Sequence, residues 1–200
     1  MKEVYRFHIH VLRKIISILF VVSLALFFYF LGEINTLFIL LALTVVFVPL
    51  DIVHYFTKGK NRISRLFFET YPKKRAEYGQ YVSDASIFFI STIIMVLFFD
   101  KDIVFLSLLI FIFTDASEQI FGNLFPSKGF LWNKKKGWIG TLSGFLIAMA
   151  VSFSIMGVFF IEIAFWRILF SCAVAAILGL SRKYDNVLIP WGAAIVLFLT

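Results

Sequence analysis

The sequence predicts an all-α, polytopic integral membrane protein of about seven transmembrane helices, with a cytosolic N-terminus and the C-terminus outside. Three observations carry that prediction. Of 200 residues, 61% are hydrophobic and 16% charged, against roughly 45–50% and about 25% in soluble domains, and the mean hydropathy is +0.95. The apolar residues gather into seven runs separated by short polar clusters. Of the 19 basic residues, 17 fall on the same side of those runs when the chain is threaded back and forth. A water-soluble globule, a disordered tail and a coiled coil are thereby excluded, because none could cover this much apolar surface.

The seven spans are expected near residues 15–31, 36–56, 83–99, 103–121, 139–161, 164–180 and 187–200, within a single transmembrane domain. A spanning helix needs about 20 residues, so the second is extended through Asp51 to Phe56, and the seventh is short. The first run is too long for a signal-peptide core, and no small-residue cleavage site follows it. Lys2, Arg6, Arg13 and Lys14 precede the first run; Lys58, Lys60, Arg62, Arg65, Lys73, Lys74 and Arg75 lie between the second and third. Lys128 and the triplet Lys134, Lys135 and Lys136 follow the fourth, and Arg182 and Lys183 follow the sixth. Cytoplasmic loops hold such an excess, which fixes the orientation. Gly32 to Asn35, Asp100 to Asp102 and a turn near Glu162 make the opposite connections, short enough to join antiparallel neighbours. The net charge of +7 therefore reflects topology and carries no expectation of nucleic acid. A single cysteine, Cys172, excludes a disulfide framework and a cysteine-based metal site.

The carboxylates carry the first functional signal. Asp51, Glu77, Asp84, Asp115, Glu118 and Asp185 all fall at the cytosolic level. Asp51 and Glu77 read as solvated helix ends, and Asp84 and Asp185 begin helices, where negative side chains are favoured. Asp115 lies about 10 Å inside its span at 1.5 Å per residue, and an ionisable group there is expensive unless it serves a purpose. Asp115, Glu118, Gln119 and Gly122 share a helical face at spacings of three and four.

The second signal is the loop from Gly122 to Gly144, rich in glycine, with Lys134, Lys135 and Lys136 at the start of the next helix. Lysines beside exposed backbone N–H groups suit phosphate, although lysines beside a membrane also anchor to anionic headgroups. Gly140, Gly144, Ala148 and Ser152 recur every four residues, as in close helix packing. Acids that hold Mg²⁺ and lysines that hold the phosphates it bridges form a chemically coherent pair. Phosphoryl transfer needs little beyond positioning and charge neutralisation.

Asp115-Ala116, Gly122, Lys135-Lys136 followed by Gly140-Thr141, and Asp185-Asn186 with Ile189-Pro190 together resemble, in order and spacing, the CTP-dependent lipid-alcohol kinases, that is, dolichol kinase, phytol kinase and the yeast-type diacylglycerol kinase. The resemblance implies a cytosol-facing enzyme that uses CTP and a divalent metal to phosphorylate the hydroxyl of a membrane lipid. Carried over by position, Asp115 would bind metal or organise the nucleotide phosphates, and Lys135 and Lys136 would contact phosphate; Glu118, on the same face as Asp115, is the second candidate ligand for Mg²⁺. Gly122, Gly140 and Thr141 would shape the backbone beneath the phosphate, and Asp185 with Asn186 would close the site. Glu77, Asp84 or Glu118 would activate the hydroxyl. The chain departs from that pattern where Ile139 replaces a glutamate before Gly140, Ser17 a histidine and Pro126 a loop glycine. A lipid cytidylyltransferase, a transporter and a non-catalytic membrane protein are the competing readings. Polar residues at the midplane would mark a transporter, and the midplane here is nearly bare of charge.

Overall fold

A computed structural model describes residues 2–56, 83–130, 133, 136–181 and 184–199. Among these the chain is helical apart from turns and a single bridge between Gly129 and Gly137. The helices are α1 (Lys2–Phe56), α2 (Asp84–Phe98), α3 (Lys101–Leu124), α4 (Trp138–Phe159), α5 (Phe165–Gly179) and α6 (Asp185–Leu199).

Although α1 is 55 residues long, it is two arms joined at Gly32, whose φ of 81° and ψ of 176° suit a residue without a Cβ. Phe20 in the first arm and Phe47 in the second both meet the ring of Phe89, at 5.9 and 5.3 Å between centroids. An unbroken helix would hold two residues that far apart in sequence about 40 Å from one another, so the arms lie side by side. Asn35 and Thr36 donate side-chain hydrogen bonds to the carbonyls of Leu31 and Gly32, at 2.8 and 2.9 Å, satisfying backbone groups that the bend frees. Among the described residues, the two arms of α1 and the helices α2 to α6 thus overlap the apolar runs of the sequence. The first arm begins as early as Lys2, because helix continues through a charged stretch that hydropathy alone does not register.

The central element is α3. Nine consecutive residues, Val104 to Ile112, are buried, so its flanks are covered on every side. α1, α2, α4, α5 and α6 all pack against it. On α4 the buried residues are Gly140, Gly144, Ala148 and Ser152, the small-residue stripe seen in the sequence, and the backbones approach closely there. A Cβ on Gly140 would lie 2.6 Å from the carbonyl oxygen of Glu118, and one on Gly144 would lie 2.9 Å from that of Thr114.

The helix ends sort into two groups. At one end Tyr29 donates to the carbonyl of Phe159 (3.4 Å), packs on Phe105 and lies under the ammonium of Lys101. The bend of α1, the α2–α3 turn and the α4–α5 turn therefore meet there. At the other end converge Lys14, Asp84, Asp115, Lys136 and Asp185. Between the two ends the outer surface is greasy: Phe38, Val45, Phe98 and Leu199 are each about 70% exposed. No soluble protein presents apolar faces of that extent to water. Among the described residues, three helical stretches are long and apolar enough to cross a membrane, 14–53, 101–124 and 138–159. The chain is therefore a membrane-associated helical protein, as its composition demanded.

Candidate functional site

The charged end is built on the last turns of α3. Asp115, Glu118 and Gln119 project from one side at helical spacing, and Asp115 and Glu118 are each only 4% exposed. A lone buried carboxylate would be prohibitively costly, and each acid has a lysine. Lys14, from the first arm of α1, forms an ion pair with Oδ2 of Asp115, and Gln119 donates from Nε2 to Oδ1 at 2.8 Å. Lys136 donates to Oε2 of Glu118 at 3.2 Å, and Thr141 to Oε1 at 3.4 Å. Lys136 also donates to the carbonyl of Gly179 and stands 3.9 Å from Oδ2 of Asp185. One ammonium thereby joins α3, the carboxyl end of α5, whose dipole favours a cation, and the start of α6.

Local backbone choices make these contacts possible. The α3–α4 crossing at Gly140 lets the loop before α4 lie over Glu118. Gly179 leaves room for the Glu118 carboxylate, since a Cβ there would sit 2.8 Å from Oε2. The loop closes on itself through Phe130 N–H to the Lys136 carbonyl and Trp138 N–H to that of Lys128. Buried Asn133 pins it to the Leu180 carbonyl at 3.0 Å. Before α6, Tyr184 adopts a left-handed conformation (φ 63°), and its carbonyl accepts from Val187 and Leu188, turning Asp185 and Asn186 inward. Asp51 has a scaffold role: its Oδ2 accepts from the backbone N–H and hydroxyl of Ser83, both at 2.9 Å, while Ser83 caps α2.

Beside the Lys14–Asp115 pair opens a cavity of about 410 Å³. Its polar lining is Lys14, Ser17, Asp84, Asp115, Gln119, Asp185 and Asn186, and its apolar lining includes Phe20, Val21, Phe88, Phe89, Phe111 and Ile112. Phe88 stacks on Phe111 and meets Phe89 edge-on, at 5.5 and 5.8 Å, which makes that wall continuous. The space is amphiphilic, charged on one side and aromatic on the other.

Of the residues singled out in the sequence, Asp84, Asp115, Asp185 and Asn186 come together on this cavity from three helices. Glu118, Lys136 and Thr141 form a bonded layer next to it but do not line it. Gly122 and Gly140 meet at the α3–α4 crossing, where a Cβ on Gly140 would lie 3.1 Å from the Gly122 Cα; their evident work is close packing. Glu77 and Lys135 lie outside the described residues. Sequence reasoning missed Lys14, which reads as a topology-setting flank until its contact across 101 residues is seen, and Asn133, whose partner is 47 residues away.

A divalent cation fits only a modest role here. Among the described residues no group of three or more His, Cys, Asp or Glu side chains could hold a metal ion, and Asp115 and Glu118 face different lysines instead of sharing a ligand. A protein cage for Mg²⁺ is therefore not built among these side chains. Mg²⁺ commonly binds through one or two carboxylates, with substrate phosphates completing the shell, and Asp115, on the cavity lining, suits that arrangement. Compared with known proteins, the chain matches no family model, no curated protein and no solved structure.

Proposed function

We propose that the chain is a membrane-embedded phosphotransferase that moves the terminal phosphoryl group of a nucleoside triphosphate, CTP by the motif resemblance, to the hydroxyl of a membrane lipid alcohol. The observation that carries this reading is the amphiphilic cavity, where Asp84, Asp115, Asp185 and Asn186 meet a phenylalanine wall. An alcohol with a long apolar body would place its tail along Phe88, Phe89 and Phe111 and its hydroxyl at the aspartates. The hydroxyl oxygen forms a bond to the γ-phosphorus, the bond to the β–γ bridging oxygen breaks, and the hydroxyl proton passes to a carboxylate. Of the three acids that could accept that proton, Asp84 is the one placed on the cavity, whereas Glu118 lies in the layer beside it and Glu77 lies outside the described residues. A general base must reach its proton within hydrogen-bond distance, which favours Asp84. Asp115 would hold a divalent cation such as Mg²⁺, which when bound would supply charge neutralisation for the transfer.

The test is transfer from γ-labelled CTP, with ATP in parallel, to dolichol, shorter polyprenols, phytol and diacylglycerol by the purified protein with Mg²⁺. A labelled lipid monophosphate is the expected product. No labelled lipid from any acceptor, in protein with an intact thermal transition, would overturn the reading. A CMP-bearing lipid with release of pyrophosphate would convert it to a cytidylyltransferase.

We further propose that all seven helical segments cross the bilayer, with the charged end cytosolic. At 15 residues each, α2, α5 and α6 are about 22 Å long and reach across with their flanking residues. In a Cys172→Ala background, a single cysteine replacing Glu33 should be labelled by an impermeant maleimide in intact cells, and one replacing Lys128 only after the cells are permeabilised. Labelling of both from the same side would refute the threading.

A further inference from the structure

We propose that Lys14 is the phosphate-receiving cation of the cavity, and that its ion pair with Asp115 is the resting form of that site, in which the carboxylate stands where a phosphate oxygen will bind. Among the described residues lining the cavity, Lys14 is the one cation. Lys136, the lysine that the sequence favoured, is instead committed to Glu118, the Gly179 carbonyl and Asp185, outside the cavity lining. The side chains of Lys14 and Asp115 are only 11% and 5% exposed. A buried ion pair contributes little net stability compared with a well-packed apolar pair of the same volume, and the neighbouring wall shows that phenylalanine and isoleucine fit here. The pair faces a void large enough for a ligand, so it is a contact that a stronger anion can take over. A phosphate monoester carries more charge than a carboxylate and offers more acceptor oxygens, and lysine binds it as a point charge. When phosphate takes the ammonium, Asp115 is released from Lys14 while Gln119 still holds its Oδ1, leaving Oδ2 able to turn toward a metal or the reacting group.

The inference rests on the transfer reading for the identity of its ligand, but binding is measurable without turnover. Two sources could supply the phosphate: the nucleotide, or the headgroup of a phosphorylated lipid. Labelled pyrophosphate represents the first and labelled dodecyl phosphate the second. Each would be titrated in EDTA against full-length protein in a neutral detergent. The parent should bind at least one of them, and Lys14→Gln should bind it at least tenfold more weakly. Asp115→Asn should bind as tightly as the parent or tighter, because the competing carboxylate charge is gone while the cation remains. Lys14→Gln/Asp115→Asn, which replaces the ion pair with a neutral amide pair and guards against loss of fold, should bind as weakly as Lys14→Gln. Lys101→Gln, at the opposite end, should match the parent.

The signs decide the matter. Parent-like binding by Lys14→Gln, equal weakening by Asp115→Asn and Lys14→Gln, or no binding of either probe by the parent would each overturn the assignment. Binding of dodecyl phosphate alone assigns Lys14 to the lipid phosphate, and binding of pyrophosphate alone assigns it to the nucleotide. A parent that binds phosphate through Lys14 yet makes no lipid phosphate from CTP would retain this site and sink the kinase reading. One that transfers phosphate with Lys14→Gln unimpaired would do the reverse.

Discussion

Asp115→Asn is expected to lower CTP-dependent formation of lipid monophosphate by about 10²–10³-fold, the usual cost of deleting one electrostatic group from a transfer site. The substitution keeps the shape and the acceptor of the Gln119 hydrogen bond while removing the charge that would face metal and phosphate. It also leaves Lys14 buried without its counter-charge, and breaking one side of such a pair costs about 3–5 kcal/mol of stability. Loss of activity alone would therefore be ambiguous. The variant that resolves it is Lys14→Met/Asp115→Leu, in which the ion pair becomes an apolar contact of similar volume. Its thermal midpoint should recover to that of the parent or rise above it, because neither charge remains buried, and its activity should stay absent. Combined with phosphate binding that survives in Asp115→Asn, this pattern separates three roles: holding the fold, holding the phosphate and moving it. A folded Asp115→Asn protein that transfers phosphate at the parental rate would remove the charged end from consideration as the active site.

How far the sequence foretold this arrangement depends on the range of the forces involved. The helical segments were legible because apolar runs of membrane length have few alternatives, and Gly32 with Asn35 marked the bend of α1. The small-residue stripe from Gly140 to Ser152 was legible for the same reason: spacing by four states which face will be approached closely. Asp115 could be picked out because a carboxylate deep in an apolar run is costly wherever the fold places it. Its partner could not be picked out. Lys14 lies among flanking basic residues whose bulk role, setting orientation, hides an individual contact with a helix about a hundred residues later. Lys136 shows the complementary case. It looked like a phosphate ligand because it ends a lysine triplet beside a glycine-rich turn, yet the α3–α4 crossing sets it over Glu118 and the carboxyl end of α5. The same crossing gives Glu118 its two partners, Lys136 and Thr141, neither of which its position in the sequence announces. Local pattern named the charged groups; only the packing of α3 against α1, α4 and α5 decided which of them pair.

The crossing itself yields the second large effect. A methyl group added at Gly140 would sit 2.6 Å from the carbonyl oxygen of Glu118 and 3.1 Å from the Cα of Gly122. Both are backbone atoms of α3, so no side-chain rotation can relieve the contact and the two helices must separate. Alanine brings a helix-propensity gain of about 0.5–1 kcal/mol over glycine, while overpacking of this kind costs about 1–3 kcal/mol, and close backbone approach is itself a source of helix association in a bilayer. Gly140→Ala should therefore lower the thermal midpoint despite its better propensity. The displaced turn carries Glu118 and begins three residues after Asp115, and misplacement of reacting groups by about 1 Å can cost about 10²-fold in rate, so transfer should fall by a comparable factor. Gly157→Ala, in the same helix but with no neighbouring atom within 4 Å of its added carbon, supplies the contrast: propensity acts there without a clash, and both midpoint and activity should equal or exceed those of the parent. Thermal scans and transfer assays on the two variants side by side test the geometry of the crossing, and equal behaviour of Gly140→Ala and Gly157→Ala would show that α3 and α4 do not meet where they are placed.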